Sequence, residues 1–141
     1  MAGPDDRYAR NLRVIEEFRA HRGSVPGRSS GFPLLLLTTT GAKSGQRRTT
    51  PVAYLQDGLR LVVFASKGGG PTSPDWYHNL VANPTVTIEA GPETYEARAV
   101  VAMGEERDRL YARQADLYPV FGEYQQKTAR RIPVVILERL S

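Results

Sequence analysis

The chain contains no cysteine, which excludes disulfides, thiolate metal sites and cysteine nucleophiles. That absence fits a reducing cytoplasm. Histidine is almost as scarce. His21 and His78 are the only two, and neither has acidic partners at ligand spacing, which argues against a histidine-rich metal centre. Long apolar runs are missing: the four leucines at 34–37 fall far short of the roughly 18–20 residues of a membrane span, and the N-terminal stretch has no apolar signal core. Familiar motifs are missing too. Ala42-Lys43-Ser44 is no P-loop, because Ala42 and Leu37 stand where that pattern needs glycine. No GxGxxG joins a strand to a helix, and no GxSxG elbow presents a serine. A chain with no obvious nucleophile, metal or general-base histidine either only binds its ligand or borrows its chemistry from a cofactor.

What is present fits one domain core: 141 residues bury a hydrophobic interior without staples. The formal charge of +4 is unevenly spread. Residues 1–30 carry six Lys/Arg against four Asp/Glu, residues 31–75 five against two, and residues 76–141 eight against nine. The excess centres on residues 38–50, which contain no acid. A compact basic site suits a small polyanion better than a nucleic-acid duplex, whose phosphate contacts spread over a face.

Leu34–Pro51, LLLLTTTGAKSGQRRTTP, organises the rest. Its leucines and threonines read as a buried strand over 33–39. Gly41 and Gly45 then open a tight turn bearing Lys43, Ser44, Gln46, Arg47 and Arg48, and a second strand leaves over 48–56. Cations, hydroxyls and bare backbone N–H groups on one turn are how proteins hold a phosphate or carboxylate. Before this stretch, residues 5–22 predict a helix with an apolar stripe of Tyr8, Leu12, Ile15 and Phe18, with Val14 beside it. That stripe suits packing on the barrel or a second subunit first, and a peripheral contact with the inner face of the cell membrane as the alternative, against which Asp5, Asp6, Glu16 and Glu17 dilute the cationic face. Gly23–Gly31 reads as a linker, which divides the chain into residues 1–31 (helix and linker) and 32–141 (barrel domain).

Further along, Asp57-Gly58 predicts a two-residue hairpin turn before a strand over 60–65. A glycine-rich loop, Ser66–Pro74, follows, with Ser73 expected to cap a helix over 74–82. Strands at 85–90 and 94–103, a helix from 105 to about 118, a short helical piece to about 128 and a last strand over 132–137 complete the chain. Six short, mostly antiparallel strands with peripheral helices predict a mainly β (α+β) split barrel, because closure hides strand edges. Three stretches suit a cofactor site: the basic turn, Ser66-Lys67 with the glycines 68–70, and Trp76-Tyr77 with Asn79 on the short helix. Tyr118, Phe121 and Tyr124 recur at spacing three and suit the wall of an apolar cleft in which a phenol donates a proton.

TTTGAKSGQRRTTP, ASKGG, PDWYHNLVANP and LYPVFGEYQQKTARRIPVVILE, in that order over residues 33–139, closely resemble the deazaflavin (coenzyme F420)-dependent nitroreductase family of actinobacterial split β-barrel reductases. The resemblance implies a barrel related to FMN-binding oxidases, with coenzyme F420 as cofactor and FMN as the alternative. It implies an enzyme passing a hydride to an electron-poor small molecule: a quinone, an α,β-unsaturated lactone or ketone, or a nitro compound. Nucleic acid is not an expected partner, and monomer and homodimer both remain open. By motif, Lys43, Ser44, Gly45, Gln46 and Arg48 match the turn that holds the cofactor's anionic tail, with Pro51 at its end. Ser66, Lys67 and Gly68 match the segment beside the ring, and Trp76, Tyr77 and Asn79 the helix that closes over it. Tyr118, Phe121 and Tyr124 fall where the family lines its substrate pocket, with Tyr124 or Ser66 the candidate hydrogen-bond donor. Phe121 lacks the phenol common in that pattern.

Overall fold

In a computed structural model, which describes residues 4–21 and 33–140 (4–8 as backbone alone), the leucine-threonine run forms β1 (Leu34–Thr40). Leu35 and Leu37 point into a core with Val52, Val63, Ile88, Val135 and Leu137. Leu36 points the opposite way, onto Ile15 and Phe18. Burial on both faces explains why the run is continuously apolar, and each fully buried leucine contributes about 1.5–3 kcal/mol.

β1 pairs with β2 (Arg47–Asp57) along one edge and β4 (Thr85–Ala90) along the other. With β3 (Arg60–Phe64), β5 (Glu93–Val101) and β6 (Val134–Arg139), the order β1-β2-β3-β6-β5-β4 closes into a barrel whose neighbouring strands are all antiparallel. The expected six-stranded barrel is therefore found. α2 (Asp75–Ala82) sends Trp76 and Leu80 into the barrel core. α3 (Gly104–Leu117) and α4 (Val120–Lys127) cover the outer face of β2, β3 and β6, burying Leu110, Tyr111 and Phe121 against Leu55, Phe64 and Ile136.

α1 (Pro4–Ala20) packs on the barrel through Ile15 and Phe18, and Arg19 clamps Glu89 of β4 with two bonds of 2.9 Å. Leu12 of the same stripe is 42% exposed. The Tyr8 side chain and the expected linker Gly23–Gly31 lie outside the described residues. Among the described residues no helix is long and apolar enough to cross a membrane.

Three local expectations are corrected. The helix after the glycine-rich loop starts at Asp75 with Pro74 as its cap residue; Ser73 is not the cap, because its Oγ accepts a 3.0 Å bond from Arg130. The last strand starts at Val134 and not at Ile132. Pro133 has no N–H to donate, and the Ile132 N–H bonds to Gln125 Oε1 at 3.1 Å. Asp57 pairs with Arg60 across the hairpin, so the two-residue turn is Gly58-Leu59, with Gly58 at φ +63°.

Asp57 instead receives Arg60 at 2.7 Å, Arg113 at 2.7 Å and Arg109 at 3.3 Å, tying the hairpin to α3. The hydrogen bonds from Arg60 and then Arg109 pull its carboxyl down to about 2. A depressed carboxylate stabilises the fold above its unfolded-state value and loses that contribution as pH falls through about 2. Asp57→Asn should cost on the order of 1 kcal/mol at neutral pH. Denaturant unfolding of the two proteins should converge as the solution is acidified, and a gap independent of pH would remove the ionic account.

Candidate functional site

The turn after β1 is built by its own backbone. The Gly41 N–H donates to Gln46 O at 2.8 Å, the Gly45 N–H donates to Gly41 O at 3.0 Å, and Gly45 sits at φ +69°. Ser44 Oγ accepts the Gln46 N–H at 3.2 Å, so this hydroxyl shapes the turn. Asn79 fastens the turn to α2: its Oδ1 accepts the Ala42 N–H at 3.0 Å and its Nδ2 donates to Thr39 Oγ1 at 3.3 Å. Lys43, Arg47 and Arg48 project from this base, all exposed. Arg47 donates to Thr87 Oγ1 at 2.6 Å. Among the described residues no carboxylate pairs with any of the three.

Three clefts run on from one another here. The first, about 550 Å³, is lined by Lys43, Ser44, Arg48, Asp75, His78 and Asn79. The second, about 530 Å³, shares Arg48, Asp75 and Asn79 with it and lies between Gln46, Thr49 and Trp76 on one side and Asn11, Leu12, Ile15 and Arg19 of α1 on the other. The third, about 230 Å³, shares Trp76 and is walled by Pro51, Phe64, Ser66, Lys67, Gly68, Phe121 and Tyr124. A cationic end therefore grades into an aromatic end. Asp75, in the first turn of α2, adds one carboxylate to a stretch whose own sequence has none.

The small cleft owes its shape to the loop Ser66–Gly70. Lys67, Gly68 and Gly69 have φ of +48°, +63° and +83°, three left-handed residues in a row. The loop closes with Gly69 N–H to Ser66 O at 2.9 Å and Gly70 N–H to Lys67 O at 3.1 Å. It lies hard against α4, where a Cβ on Gly69 would meet the Tyr124 carbonyl oxygen at 2.8 Å. Phe121 sits edge-on to Tyr124 at 5.2 Å and to Phe64 at 5.8 Å, which fixes the aromatic wall. Tyr111 is a phenol of another kind. Burial pushes it up to about 12, and its O–H donates to Phe121 O at 2.6 Å, so it ties α3 to α4.

Of the residues singled out from sequence, Lys43, Ser44, Gln46, Arg48 and Asn79 line the two larger clefts. Pro51, Ser66, Lys67, Gly68, Phe121 and Tyr124 meet at the small one, with Trp76 as the hinge wall between. Pro51 thus borders the aromatic end and not the basic turn. Gly45 serves the turn's backbone. Tyr77 packs against the barrel core and Tyr118 against the outer core, and neither is among the cleft-lining residues. Asn11, Arg19, Asp75 and Arg130 were not foreseen. Asn11 and Arg19 reach the central cleft by packing between distant segments, which leaves no local motif, whereas Asp75 adjoins Trp76 and Arg130 bonds the loop Ser66–Gly70 without lining any of the three clefts.

Gly69→Ala should cost about 1–3 kcal/mol for the clash with α4 in addition to backbone strain. Gly68→Ala has open space around its Cβ and should cost only the strain, about 1–2 kcal/mol. Thermal unfolding of the two variants side by side checks this, and equal losses would mean that the loop does not rest on α4.

Over most of its length the chain is similar to known proteins. The model of the F420H(2)-dependent quinone reductase family matches residues 11–139. An F420H(2)-dependent quinone reductase of Mycobacterium tuberculosis is 44% identical over 131 residues, covering 86% of this chain and 85% of that one. The solved structure of the F420-H2 dependent reductase FDR-A superposes with a TM-score of 0.70 at 43% identity, covering 75% of this chain and 94% of that one. A second solved chain, described as a domain-swapped dimer, covers 96% of this chain and 100% of its own length at 38% identity and a TM-score of 0.71.

Proposed function

The chain belongs to the F420H(2)-dependent quinone reductase family, and from that membership we propose that it transfers a hydride from reduced coenzyme F420 to a quinone. The observation that carries this is the graded run of clefts, unneutralised cations at one end and an aromatic wall at the other. A cofactor with a flat ring and a long anionic tail has that same polarity. The residues fit it chemically. Lys43 and Arg48 have charge to spare, and Gly68, with no Cβ and open space around it, lets a ring approach the backbone closely.

Reduced F420 supplies the hydride when bound. The protein's part is placement and charge. Lys43 and Arg48 would hold phosphate and carboxylates, with Ser44, Gly45 and Gln46 keeping the turn in shape through their own hydrogen bonds. Ser66, Lys67 and Gly68 flank the ring, with Trp76 and Pro51 closing its sides. Phe121 and Tyr124 form the wall an acceptor leans on, with Tyr118 and Tyr77 packed behind the walls. Tyr124 or Ser66 hydrogen-bonds the acceptor oxygen and stabilises the negative charge that develops there. An α,β-unsaturated ketone or lactone develops charge at the same oxygen and is the next acceptor to screen, followed by nitro compounds.

Calorimetric titration with oxidised F420, with FMN and NADPH in parallel, tests the cofactor. F420 should bind selectively, and Lys43→Ala or Arg48→Ala should each weaken it roughly tenfold or more. No binding, or a preference for FMN, would overturn the reading.

We also infer a cytoplasmic location with residues 5–22 touching the inner membrane face. The absence of cysteine supports the first, and Leu12, partly exposed at the edge of the central cleft on a segment with five arginines against four acids, supports the second. Co-sedimentation with anionic but not neutral vesicles is expected, lost at high salt; indifference to vesicles would sink the membrane contact.

A further inference from the structure

Arg130 is a cation that the proposed chemistry does not use. It lies beyond α4, half-buried, and among the described residues no carboxylate pairs with it. Its guanidinium donates instead to oxygen atoms of one short segment. Nε–H reaches Gly70 O at 3.0 Å, Nη1 reaches Ser73 Oγ at 3.0 Å, and Nη2 reaches Ser66 O at 2.9 Å and Ala65 O at 3.2 Å. These acceptors bracket the three left-handed residues Lys67, Gly68 and Gly69 on both sides.

We infer that Arg130 is the positioning residue for the ring end of the site: one planar fork grips both ends of the Ser66–Gly70 loop from behind and holds its left-handed backbone against the cleft. This rests on the cofactor reading above for its functional meaning, though not for its geometry. A non-glycine residue at positive φ persists only where its surroundings over-determine it, and Lys67 is such a residue. Charge-assisted bonds to three carbonyls and a hydroxyl are a sufficient constraint. The clamp is itself held. Gln125 of α4 donates to Arg130 O at 2.8 Å and accepts from Ile132 N at 3.1 Å and from Arg107 Nη2 at 2.7 Å. Arg107 in turn reaches Ile132 O at 2.8 Å. The line of support runs from α3 through Gln125 to Arg130 and so to the loop. A lysine has the same charge without the fork, and cannot span acceptors on both sides of the turn.

The test uses the full chain with Arg130→Lys and Arg130→Gln, titrated by calorimetry with oxidised F420 and with the deazaflavin core that lacks phosphate and tail. Amide hydrogen exchange is read on the ligand-free proteins. Both variants should weaken both ligands by a similar factor, roughly tenfold. One ligand should still bind per chain, and the salt dependence of the full cofactor should be unchanged. Gly69 and Gly70 amides should exchange faster while β1 amides keep their protection. Arg48→Ala should weaken the full cofactor alone and flatten its salt dependence. A general loss of fold looks different, since it lowers the number of ligands bound per chain and deprotects β1 as well. Wild-type affinity in Arg130→Lys would overturn the fork, and unchanged exchange at Gly69 and Gly70 in both variants would overturn the clamp. If the wild-type protein ignores F420, the proposed function fails by itself, and the exchange measurement still decides the clamp.

Discussion

β1 is buried on both faces and hydrogen-bonded along both edges, and that double commitment closes the barrel. It leaves little freedom in register. A slip of one residue would turn Leu35 and Leu37 out of the core and Leu36 into it. The register in turn sets Thr39 opposite Arg48 and Thr38 opposite Thr49, whose hydroxyls lie 2.7 Å apart. Thr39 also meets Asn79, so the same ladder that locates Arg48 locates α2 beside it. The cationic turn, Trp76 and Asn79 are brought together by a constraint that lies in the core and not in the site.

Charge is distributed with the same economy. Asp57 takes Arg60, Arg109 and Arg113; Asp108 takes Arg107 and Arg131; Glu89 takes Arg19 and Glu93 takes Arg139. Carboxylates thus consume arginines across the barrel surface and α3, while among the described residues none pairs with Lys43, Arg47 or Arg48. An exposed cation stays available for an anionic ligand only if no acid competes for it. Among the described residues Asp75 is the one carboxylate in the same clefts, and it stands in the first turn of α2, where the helix N-terminus favours a negative charge.

The barrel was legible because its strands are short apolar runs set off by glycine and proline. The basic turn was legible because its glycines and cations are adjacent in sequence. What misled was competition from afar. Ser73 has every local mark of a helix cap, yet a guanidinium 57 residues later claims its hydroxyl. Ile132 begins an apolar run and still falls outside the strand, because a glutamine side chain takes its N–H. Asp57 looked like a turn residue and is an ion-pair hub. Asn11 and Arg19 border the central cleft because Ile15 and Phe18 seat the helix on Leu36; the spacing of the stripe showed a packing face but not which strand it meets.

The central cleft has two walls of unequal hardness. One is barrel strand and α2, held by continuous ladders and a shared core. The other is α1, held through the small cluster Ile15, Phe18 and Leu36 and a half-exposed ion pair from Arg19 to Glu89. Lifting α1 breaks no strand pairing, so that wall opens at a small fraction of the free energy of global unfolding. For the anionic cofactor proposed above, the compliant side is the doorway, and its ease of opening is set by two apolar side chains and one ion pair on a single helix.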